Sequence, residues 1–232
     1  MKKAAIVASV AAATTALALA APAQAYDRDA YAYAASHMLG NKQVVAPLTA
    51  KPDGFFTAGP DSKSWLCQAN GRDVNYPGGL YRFSINYPST KKNQSGVNAQ
   101  VEQFASATKA IAAFNALKKG AKECSGPTSG SSNYPDADGN TVTDTWSSLT
   151  TTGVVPLVTI VGVPSVFINT NYQDVSSDQD SPYTSDNYTV YTLVNDVIIS
   201  TNYYSGSELN LTAAERKAVN QTAFNAVSAW LG

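Results

Sequence analysis

The segment from Val101 to Gly126 reads VEQFASATKAIAAFNALKKGAKECSG and combines an extended run, a helix and a cysteine. Val101 and Phe104 close the extended run, and Ser106 is a good helix N-cap. Apolar residues then recur at three- and four-residue spacing, which predicts one buried stripe on about four turns of helix. The residues of this stripe are Ala107, Ala110, Ile111, Phe114 and Leu117.

The end of this helix is marked by charge and by glycine. Three lysines between positions 118 and 122 crowd the last turns, where positive charge opposes the exposed carbonyl ends. Gly120 and Gly126 are candidate stop signals. We therefore expect Cys124 just past the end of the helix.

The first 25 residues have the pattern of a secretory signal peptide. Lys2 and Lys3 precede an uninterrupted small and apolar run, and the residues from Ala23 to Ala25 have the small-x-small pattern of a cleavage site. We expect cleavage after Ala25, which leaves residues 26–232 as a secreted, extracellular domain. A retained membrane anchor is the alternative. No cysteine follows the apolar run, so no lipid attachment point is predicted.

The charge balance excludes some classes of partner. The chain has 16 Lys and Arg against 17 Asp and Glu, and loss of Lys2 and Lys3 with the leader leaves 14 against 17, a formal charge of −3. Nothing in this balance indicates nucleic acid or an anionic membrane as a partner. A chain of this length buries roughly 70 per cent of its unfolded surface, so it needs no metal to fold. No cofactor is predicted.

Cys67 and Cys124 are the two cysteines of the chain. In an exported protein a disulfide between them is the default. In the chain-entropy model, closing a loop of this length stabilises the fold by roughly 4 kcal/mol. The bridge would tie the strand around Cys67 to the end of the helix, and it would leave neither sulfur as a nucleophile or a metal ligand.

The other segments before residue 188 predict mainly strands and polar loops. Tyr26–Leu39 predicts a weak helix that ends at Gly40. Two segments, Ser125–Asn140 and Asp174–Asn187, are predicted as exposed loops because they are rich in Gly, Ser, Asn and Asp. Strands are predicted at Ser64–Ala69, Leu80–Asn86, Thr141–Thr152, Val154–Val163 and Ser165–Asn171.

The last part of the chain gives the clearest signals. Tyr188–Val194 and Val197–Tyr204 predict two strands joined by Asn195-Asp196, a pair that tolerates the positive φ of a tight hairpin turn. Thr212 and Glu215 have the spacing of a capping box, with a helical apolar stripe behind it. Strands in runs, with helices between and after them, predict an α+β fold: a twisted antiparallel sheet with the helices packed on one face, in a single domain with one disulfide.

A family resemblance rests on four segments. They are Trp65-Leu66-Cys67, Val101 to Ala107, Ala121 to Gly126 and the hairpin from Tyr191 to Ile199. Their order and spacing resemble the extracellular sensor domain of mycobacterial PknH-type kinases, which also occurs in actinobacteria as free secreted proteins and lipoproteins. The chain departs from that pattern in having no second cysteine pair in its C-terminal half. The resemblance implies an antiparallel sheet with helices, a ligand-binding cleft and no known enzymatic activity.

The sequence contains no recognised catalytic constellation. The one histidine, His37, lies in the weak helix, where a surface or half-buried position is the leading interpretation. Ser106 and Lys109 have Ser-x-x-Lys spacing, but Ser106 is expected to cap the helix. Paired carboxylates for glycoside hydrolysis would have to come from acids near Asp136 or from the second polar loop. We therefore expect that the protein is not an enzyme.

Two acidic segments invite a calcium interpretation. Asp136 to Asn140 lacks the third ligand position and the terminal Glu of an EF-hand, so a turn with solvated acids is favoured. The second polar loop carries four acids that could bind Ca²⁺ at extracellular millimolar levels, although a solvated loop is again the leading interpretation. These acids are Asp174, Asp178, Asp180 and Asp186. No metal ligands are assigned.

Tyrosines in the C-terminal sheet are the remaining candidates. Tyr188, Tyr191 and Tyr203 are candidate ligand-binding residues, because Tyr rings with Asn and Thr neighbours suit a carbohydrate or peptide surface. The alternative is that Tyr is simply a good strand residue. We predict a secreted, non-catalytic, sensor-like domain that binds a small molecule, a glycan or another envelope ligand. The alternatives are a secreted hydrolase with an unrecognised site and a structural or partner-binding envelope protein.

Overall fold

The computed structural model describes residues 54–58, 62–69, 72–87, 96–155, 163–178, 182–205 and 211–231. The strands in these ranges are β1 (Gly54–Ala58), β2 (Lys63–Ala69), β3 (Arg72–Pro77), β4 (Tyr81–Tyr87), β5 (Val97–Gln103), β6 (Gly126–Pro135), β7 (Thr141–Gly153), β8 (Ser165–Ser176), β9 (Tyr183–Val194) and β10 (Val197–Ser205). The helices are α1 (Ala107–Cys124) and α2 (Ala213–Leu231). The predicted signal peptide, the helix predicted at Tyr26–Leu39 and most of the strand predicted at Val154–Val163 lie outside the described residues.

Eight of the described strands form one antiparallel sheet, in the order β1-β4-β5-β10-β9-β8-β7-β6. β2 and β3 form a separate two-stranded hairpin. β3 lies between the strands predicted at Ser64–Ala69 and Leu80–Asn86, where no strand was predicted. The central hairpin, β9 and β10, turns at Asn195-Asp196 with a φ of 51° at Asn195, so this hairpin prediction is confirmed.

α1 begins where the sequence predicts. Ser106 is its N-cap, because the backbone N–H of Lys109 donates to Ser106 Oγ at 3.3 Å. The helix does not stop at Gly120 but continues to Cys124. A Cβ on Gly120 would lie 2.9 Å from Val74 Cγ1 of β3, so this glycine serves close packing of the hairpin on the helix.

The two helices pack on opposite faces of the large sheet, and the prediction that they share one face is wrong. On β10, Val197 and Ile199 belong to the apolar cluster that contains the buried side of α2. Ile198 lies between them in sequence and belongs to the cluster that contains the buried side of α1. Successive residues of a strand point to opposite faces, so the clusters lie on opposite sides.

The sequence pattern of the central strands gives the physical reason. A strand with one covered face alternates apolar and polar residues, whereas a strand that is covered on both faces reads as a continuous apolar run. The run Val197-Ile198-Ile199 at the start of β10 is of the second kind, and all three side chains are buried. We name the side that carries α1 and the β2–β3 hairpin the α1 face, and the other side the α2 face.

The predicted loop at Ser125–Asn140 is largely a strand. β6 runs from Gly126 to Pro135 and pairs along its length with β7, in a register that sets Gly130 opposite Trp146. Most of its side chains are exposed because β6 is the edge strand and lies away from both helices. A strand that is exposed on both faces needs no apolar residues, so composition alone made it look like a loop.

The second predicted loop, Asp174–Asn187, is also shorter than expected. β8 extends to Ser176 and β9 begins at Tyr183, so that Asp174 and Asp186 both lie in strands. Asp186 is fully buried on the α2 face, where it accepts a hydrogen bond of 2.6 Å from the backbone N–H of Leu211. The interpretation of Asp186 as a solvated loop residue is therefore wrong.

α2 begins with the predicted capping box. The N–H of Thr212 donates to Glu215 Oε2 at 2.9 Å, and the N–H of Glu215 donates to Thr212 Oγ1 at 3.2 Å. Its buried residues follow the predicted stripe as far as Trp230, and they cover the centre of the sheet. Among the described residues, neither helix combines the length and the apolar character that a membrane crossing needs.

Candidate functional site

A cleft of about 960 Å³ opens on the α1 face of the large sheet. β6 to β10 form its floor, and β2 forms one wall. The cleft begins where the apolar cluster under α1 ends, at Tyr191 and Ile168, and extends toward the edge strand β6. The half of this face that neither α1 nor the β2–β3 hairpin covers is thus the floor of the cleft.

The floor presents hydroxyl and amide groups that are paired across neighbouring strands. Thr150 Oγ1 and Thr170 Oγ1 lie 2.9 Å apart on β7 and β8. Asn202 Nδ2 of β10 donates to Thr189 Oγ1 of β9 at 2.6 Å. A hydroxyl has one donor and two acceptor sites, so these groups keep hydrogen-bonding capacity for a ligand.

Trp146 lies at the β6 end of the cleft, where Gly130 fixes its position. A Cβ on Gly130 would lie 2.6 Å from Trp146 Cζ2 and 2.7 Å from Cε2, so the indole lies directly over the backbone of β6. Any residue with a Cβ at position 130 would displace the ring. The pairing of a cross-strand glycine with an aromatic ring therefore holds Trp146 as a fixed part of the cleft.

Trp65 stands on the wall of the cleft and is 61% exposed. A register shift in β2 between Trp65 and Cys67 lets two successive residues, Leu66 and Cys67, both turn inward. The shift is a β-bulge, which re-aims side chains in this way. The indole N–H of Trp65 donates to Asp73 Oδ1 at 3.3 Å.

Three tyrosines extend the aromatic part of the site. Tyr172 and Tyr204 line the cleft, and the ring of Tyr183 packs edge-on against Tyr172. The hydroxyls of Tyr183 and Tyr204 are hydrogen-bonded to each other. This hydrogen bond, followed by burial, raises the pKa of Tyr183 above its usual value.

The lining of the cleft is uncharged, since none of its described side chains is Asp, Glu, His, Lys or Arg. Two carboxylates adjoin it on the α1 face. Asp174 is the cross-strand partner of Trp146, and Asp144 lies one pair further along β7. Burial raises the pKa of Tyr172, and the negative charges of Asp174 and then Asp144 raise it further. The Trp146 end of the cleft is therefore slightly electronegative.

A disulfide and a buried carboxylate hold the wall of the cleft in place. The predicted Cys67–Cys124 bridge is present, with 6.1 Å between the two Cα atoms, and it joins β2 to the last residue of α1. Cys67 itself lines the cleft. The bridge therefore fixes the wall to the helix at the level of the cleft.

Glu102 of β5 is the second anchor, and it is 1% exposed. Its carboxylate accepts hydrogen bonds from Ser64 Oγ of β2 at 2.5 Å and from Tyr76 OH of β3 at 2.8 Å. The backbone N–H of Gly79 donates to Glu102 Oε1 at 2.8 Å, and Arg82 lies at 3.4 Å. One carboxylate on the large sheet therefore binds both strands of the hairpin.

Glu102 is not among the residues that the sequence patterns predict to be functional. Glu102 is charged and sits between apolar residues in an extended run, VNAQVEQF, which was a usable signal. A charged residue in a buried strand is almost always paired, and Arg82 is its direct cross-strand partner. The partners on β2 and β3 are set by tertiary packing, which no local pattern shows.

The three predicted ligand-binding tyrosines do not come together. Tyr191 is on the α1 face, lines the cleft and has its pKa raised to about 12, first by burial and then by the charge of Glu102. Tyr188 and Tyr203 point to the α2 face and are only 4% and 5% exposed. Tyr191 is therefore the one member of the set that touches the cleft.

The two tyrosines on the α2 face contact α2. Tyr188 OH donates to Asn220 Oδ1 at 3.0 Å, and its ring stacks on Phe167. Tyr203 OH lies 3.5 Å from Glu215 Oε1. Burial raises the pKa of both hydroxyls, to about 12 for Tyr203, where the charge of Glu215 adds to it. Both tyrosines are therefore core residues whose hydroxyl groups have polar partners on α2.

The acidic residues considered as calcium ligands lie apart from one another or already accept hydrogen bonds within the protein. Asp136 accepts hydrogen bonds from the N–H groups of Asp138 at 2.9 Å and Asn140 at 2.8 Å, so its carboxylate closes its own turn. Hydrogen bonds from Asn140 are the main cause of its lowered pKa. Asp174 and Asp186 point to opposite faces of the sheet, and Asp180 lies outside the described residues.

The residues weighed for nucleophilic catalysis are placed as follows. Ser106 is a helix cap at the start of α1 and does not line the cleft. His37 lies outside the described residues. The serines that do line the cleft include Ser148, which pairs with Thr128 at 2.6 Å, and Ser185. Their neighbours in the cleft are hydroxyls, amides and aromatic rings.

Comparison with known proteins finds similarity to a solved structure. No protein-family model matches the chain, and no curated protein matches it. The extracellular domain of PknH from Mycobacterium tuberculosis has a TM-score of 0.48 and 15% sequence identity. The match covers 84% of this chain and 94% of that chain. Membership of the PknH-type sensor family stays a prediction from the sequence.

Proposed function

We propose that this protein is a secreted, non-catalytic binding module, and that the cleft on the α1 face takes an uncharged ligand of the extracellular space or the cell envelope. The observation that carries the proposal is the lining of the cleft, which is uncharged and combines hydroxyl, amide and aromatic groups with a few apolar side chains. Ligand sites in proteins combine a concave shape, apolar or aromatic walls and a few placed polar groups, and this cleft has all three.

The rigidity of the cleft supports a binding role. The floor belongs to an eight-stranded sheet, and the wall is held by a disulfide and by the buried Glu102. A site that is already formed before its ligand arrives loses less conformational entropy on binding. Glu102 and its partners Ser64 and Tyr76 are buried and do not line the cleft, so they serve the shape of the site.

The proposal includes secretion because two observations favour it. The sequence predicts a cleavable leader, and the disulfide is of a kind that persists in oxidising compartments. The absence of turnover is proposed from the neutral chemistry of the lining. General acid and base catalysis needs titratable groups at the reacting atoms. Ser148 of the floor has the hydroxyl of Thr128 as its partner, and the carboxylates of Asp174 and Asp144 adjoin the lining without belonging to it.

The test is a thermal-shift and calorimetric screen of the purified protein against neutral and charged glycans, peptides and lipids. A ligand that binds the folded state alone raises the melting temperature in a saturable way. Thr170→Arg places a charge on the floor of the cleft, and Thr151→Arg makes the same change on the exposed opposite face of β7. The proposal predicts that Thr170→Arg abolishes the shift and that Thr151→Arg keeps it.

Two outcomes would contradict the proposal. The first is equal loss or equal retention of binding in the two arginine variants, which would place the ligand outside the cleft. The second is chemical conversion of a bound ligand by the parent, detected by mass spectrometry over several hours. If Thr170→Arg abolished this conversion, the result would favour a hydrolase.

A further inference from the structure

We propose that the ligand of the cleft is a neutral oligosaccharide that stacks a sugar ring on Trp146. This inference rests on the proposed function, since it names the ligand class of the same site. Four features carry it: a fixed indole at one end of the cleft, rows of hydroxyl and amide groups on the floor, an adjoining carboxylate, and the absence of charge on the described lining.

Trp146 has the construction of a stacking platform. The indole is half-buried and lies over Gly130, so that one side is supported by the backbone of β6 while the ring lines the cleft. A supported aromatic ring presents a flat apolar surface with little conformational entropy to lose. The C–H face of a pyranose ring is flat and apolar, and it matches such a surface.

The floor beside Trp146 offers groups that match sugar hydroxyls. Thr128, Ser148 and Ser185 lie on the α1 face in one register row with Tyr172, and Thr150 and Thr170 lie in the next. Neighbouring strands are about 4.8 Å apart, so such a row repeats on the scale of a sugar ring. Ser and Thr hydroxyls both donate and accept, which suits the hydroxyls of a saccharide.

Asp174 adds a negative charge beside the same end of the cleft. It is the cross-strand partner of Trp146, and its Oδ1 atom is buried with no hydrogen-bond partner among the described residues. An anionic ligand beside Trp146 would be repelled by the negative charges of Asp174 and Asp144, whereas a neutral ligand would not.

The other ligand classes fit the cleft less well. A nucleic acid needs Lys or Arg for its phosphates, and the described lining has neither. A lipid chain needs a continuous apolar surface, but the floor is polar at Thr150, Thr170 and Asn187. A sulfated or uronic-acid glycan meets the two carboxylates near Trp146. A neutral saccharide satisfies both the aromatic end and the hydroxyl floor.

The experiment uses hexasaccharides of glucose in α-1,4 and β-1,4 linkage, of mannose, arabinose and N-acetylglucosamine, and hexagalacturonate as an anionic comparison. Binding is measured by calorimetry and by tryptophan fluorescence. We expect at least one neutral hexasaccharide to bind saturably and hexagalacturonate to bind about tenfold more weakly or not at all. Trp146→Ala should weaken that binding by about tenfold or more, as loss of a stacking ring does elsewhere.

Further variants separate stacking from folding. Trp146→Phe keeps a ring and should restore part of the affinity, and Gly130→Ala should weaken binding by displacing the indole while leaving every floor group in place. Asp174→Asn should reduce the preference for neutral over anionic sugar. Leu149→Ala, an exposed position on the other face of β7, is the control and should bind like the parent.

The possible results distinguish failure of the saccharide inference from failure of the proposed binding function. Binding of a peptide or lipid that Thr170→Arg abolishes, with no neutral sugar bound, would overturn the saccharide inference and leave the cleft as a binding site. Sugar binding that is unchanged in both Trp146→Ala and Thr170→Arg would also overturn it, because the sugar would then bind elsewhere. No binding of any ligand class would overturn both this inference and the proposed function.

Discussion

Replacing Glu102 should loosen the hairpin that forms the wall of the cleft. Glu102 accepts hydrogen bonds from Ser64, Tyr76 and the N–H of Gly79, and Arg82 lies beside it. All of these groups converge on a carboxylate that is 1% exposed. Removing it leaves three buried donors without their acceptor and takes the carboxylate away from Arg82, whose side chain is 27% exposed.

The size of the effect follows from the kind of contact. A hydrogen bond to a charged group contributes about 1.5 to 3 kcal/mol, and removal of one partner of a buried ion pair costs about 3 to 5 kcal/mol. The contributions are not additive within one network. We therefore expect Glu102→Ala to lower the free energy of unfolding by about 3 to 5 kcal/mol, which is a large share of the 5 to 15 kcal/mol typical of a domain.

The assay is urea denaturation at pH 7, followed by fluorescence and circular dichroism, with Glu123→Ala as the matched control. Glu123 pairs with Arg72 at 3.4 Å, but the two side chains are 38% and 71% exposed, so this pair should contribute less than about 1 kcal/mol. Tyr76→Phe removes one donor, and a double-mutant cycle with Glu102→Gln measures the coupling. A loss below about 1 kcal/mol in Glu102→Ala, or equal losses in the two alanine variants, would refute the role of Glu102 as an anchor.

Three further predictions concern the same framework. Cys67→Ser should lower the free energy of unfolding by about 4 kcal/mol or somewhat less, as should reduction of the parent, and urea midpoints that reduction does not move would contradict this. Burial raises the pKa of Asp186, so its contribution to stability is fully present below the unfolded value of about 3.9 and is lost as the pH rises through the folded pKa. The free energy of unfolding of Asp186→Asn should therefore rise relative to that of the parent between pH 4 and pH 8. If urea denaturation shows the same difference in free energy between the two proteins at every pH, this prediction is wrong. Gly79→Ala should cost about 1 to 3 kcal/mol, because the new Cβ would lie 2.4 Å from the backbone oxygen of Gln103, and a neutral result in the melting temperature would show that the chain relaxes there.

The sequence predicts well those elements whose signal is local. The cap at Ser106, the hairpin turn at Asn195 and the capping box at Thr212 each rest on hydrogen bonds or backbone angles within a few residues, and all three are present. The disulfide could be predicted as well, because a chain with a predicted leader and two cysteines has a single possible pairing within the chain.

The sequence predicts poorly what depends on the position of an element in the sheet. β6 has the composition of a loop because an edge strand away from the helices buries little, and the helices could not be assigned to faces from their own stripes. Ile111 belongs to the predicted stripe of α1 and yet is half exposed, whereas Ala113 is buried. The face that α1 buries is set by where β2 and β3 pack against it, which is a tertiary choice.

The candidate site was the feature of the structure that the sequence predicted least well. The tyrosine pattern was correct for the sheet but could not tell which face each ring occupies, and of the three predicted ligand-binding tyrosines only Tyr191 reaches the cleft. Trp146 was missed because its role depends on Gly130, which lies sixteen positions away and becomes its neighbour through the β6–β7 register. A polar floor built from Ser and Thr looks, in a sequence, like ordinary strand surface.

We propose that the cleft on the α1 face binds an uncharged ligand without converting it. The most direct measurement compares the saturable thermal shift of the parent, Thr170→Arg and Thr151→Arg with the best ligand of the screen, while mass spectrometry follows the ligand. We expect a shift in melting temperature for the parent and for Thr151→Arg, no shift for Thr170→Arg, and recovery of the ligand unchanged. A shift that persists in Thr170→Arg, or a ligand that the parent converts, would contradict this proposal.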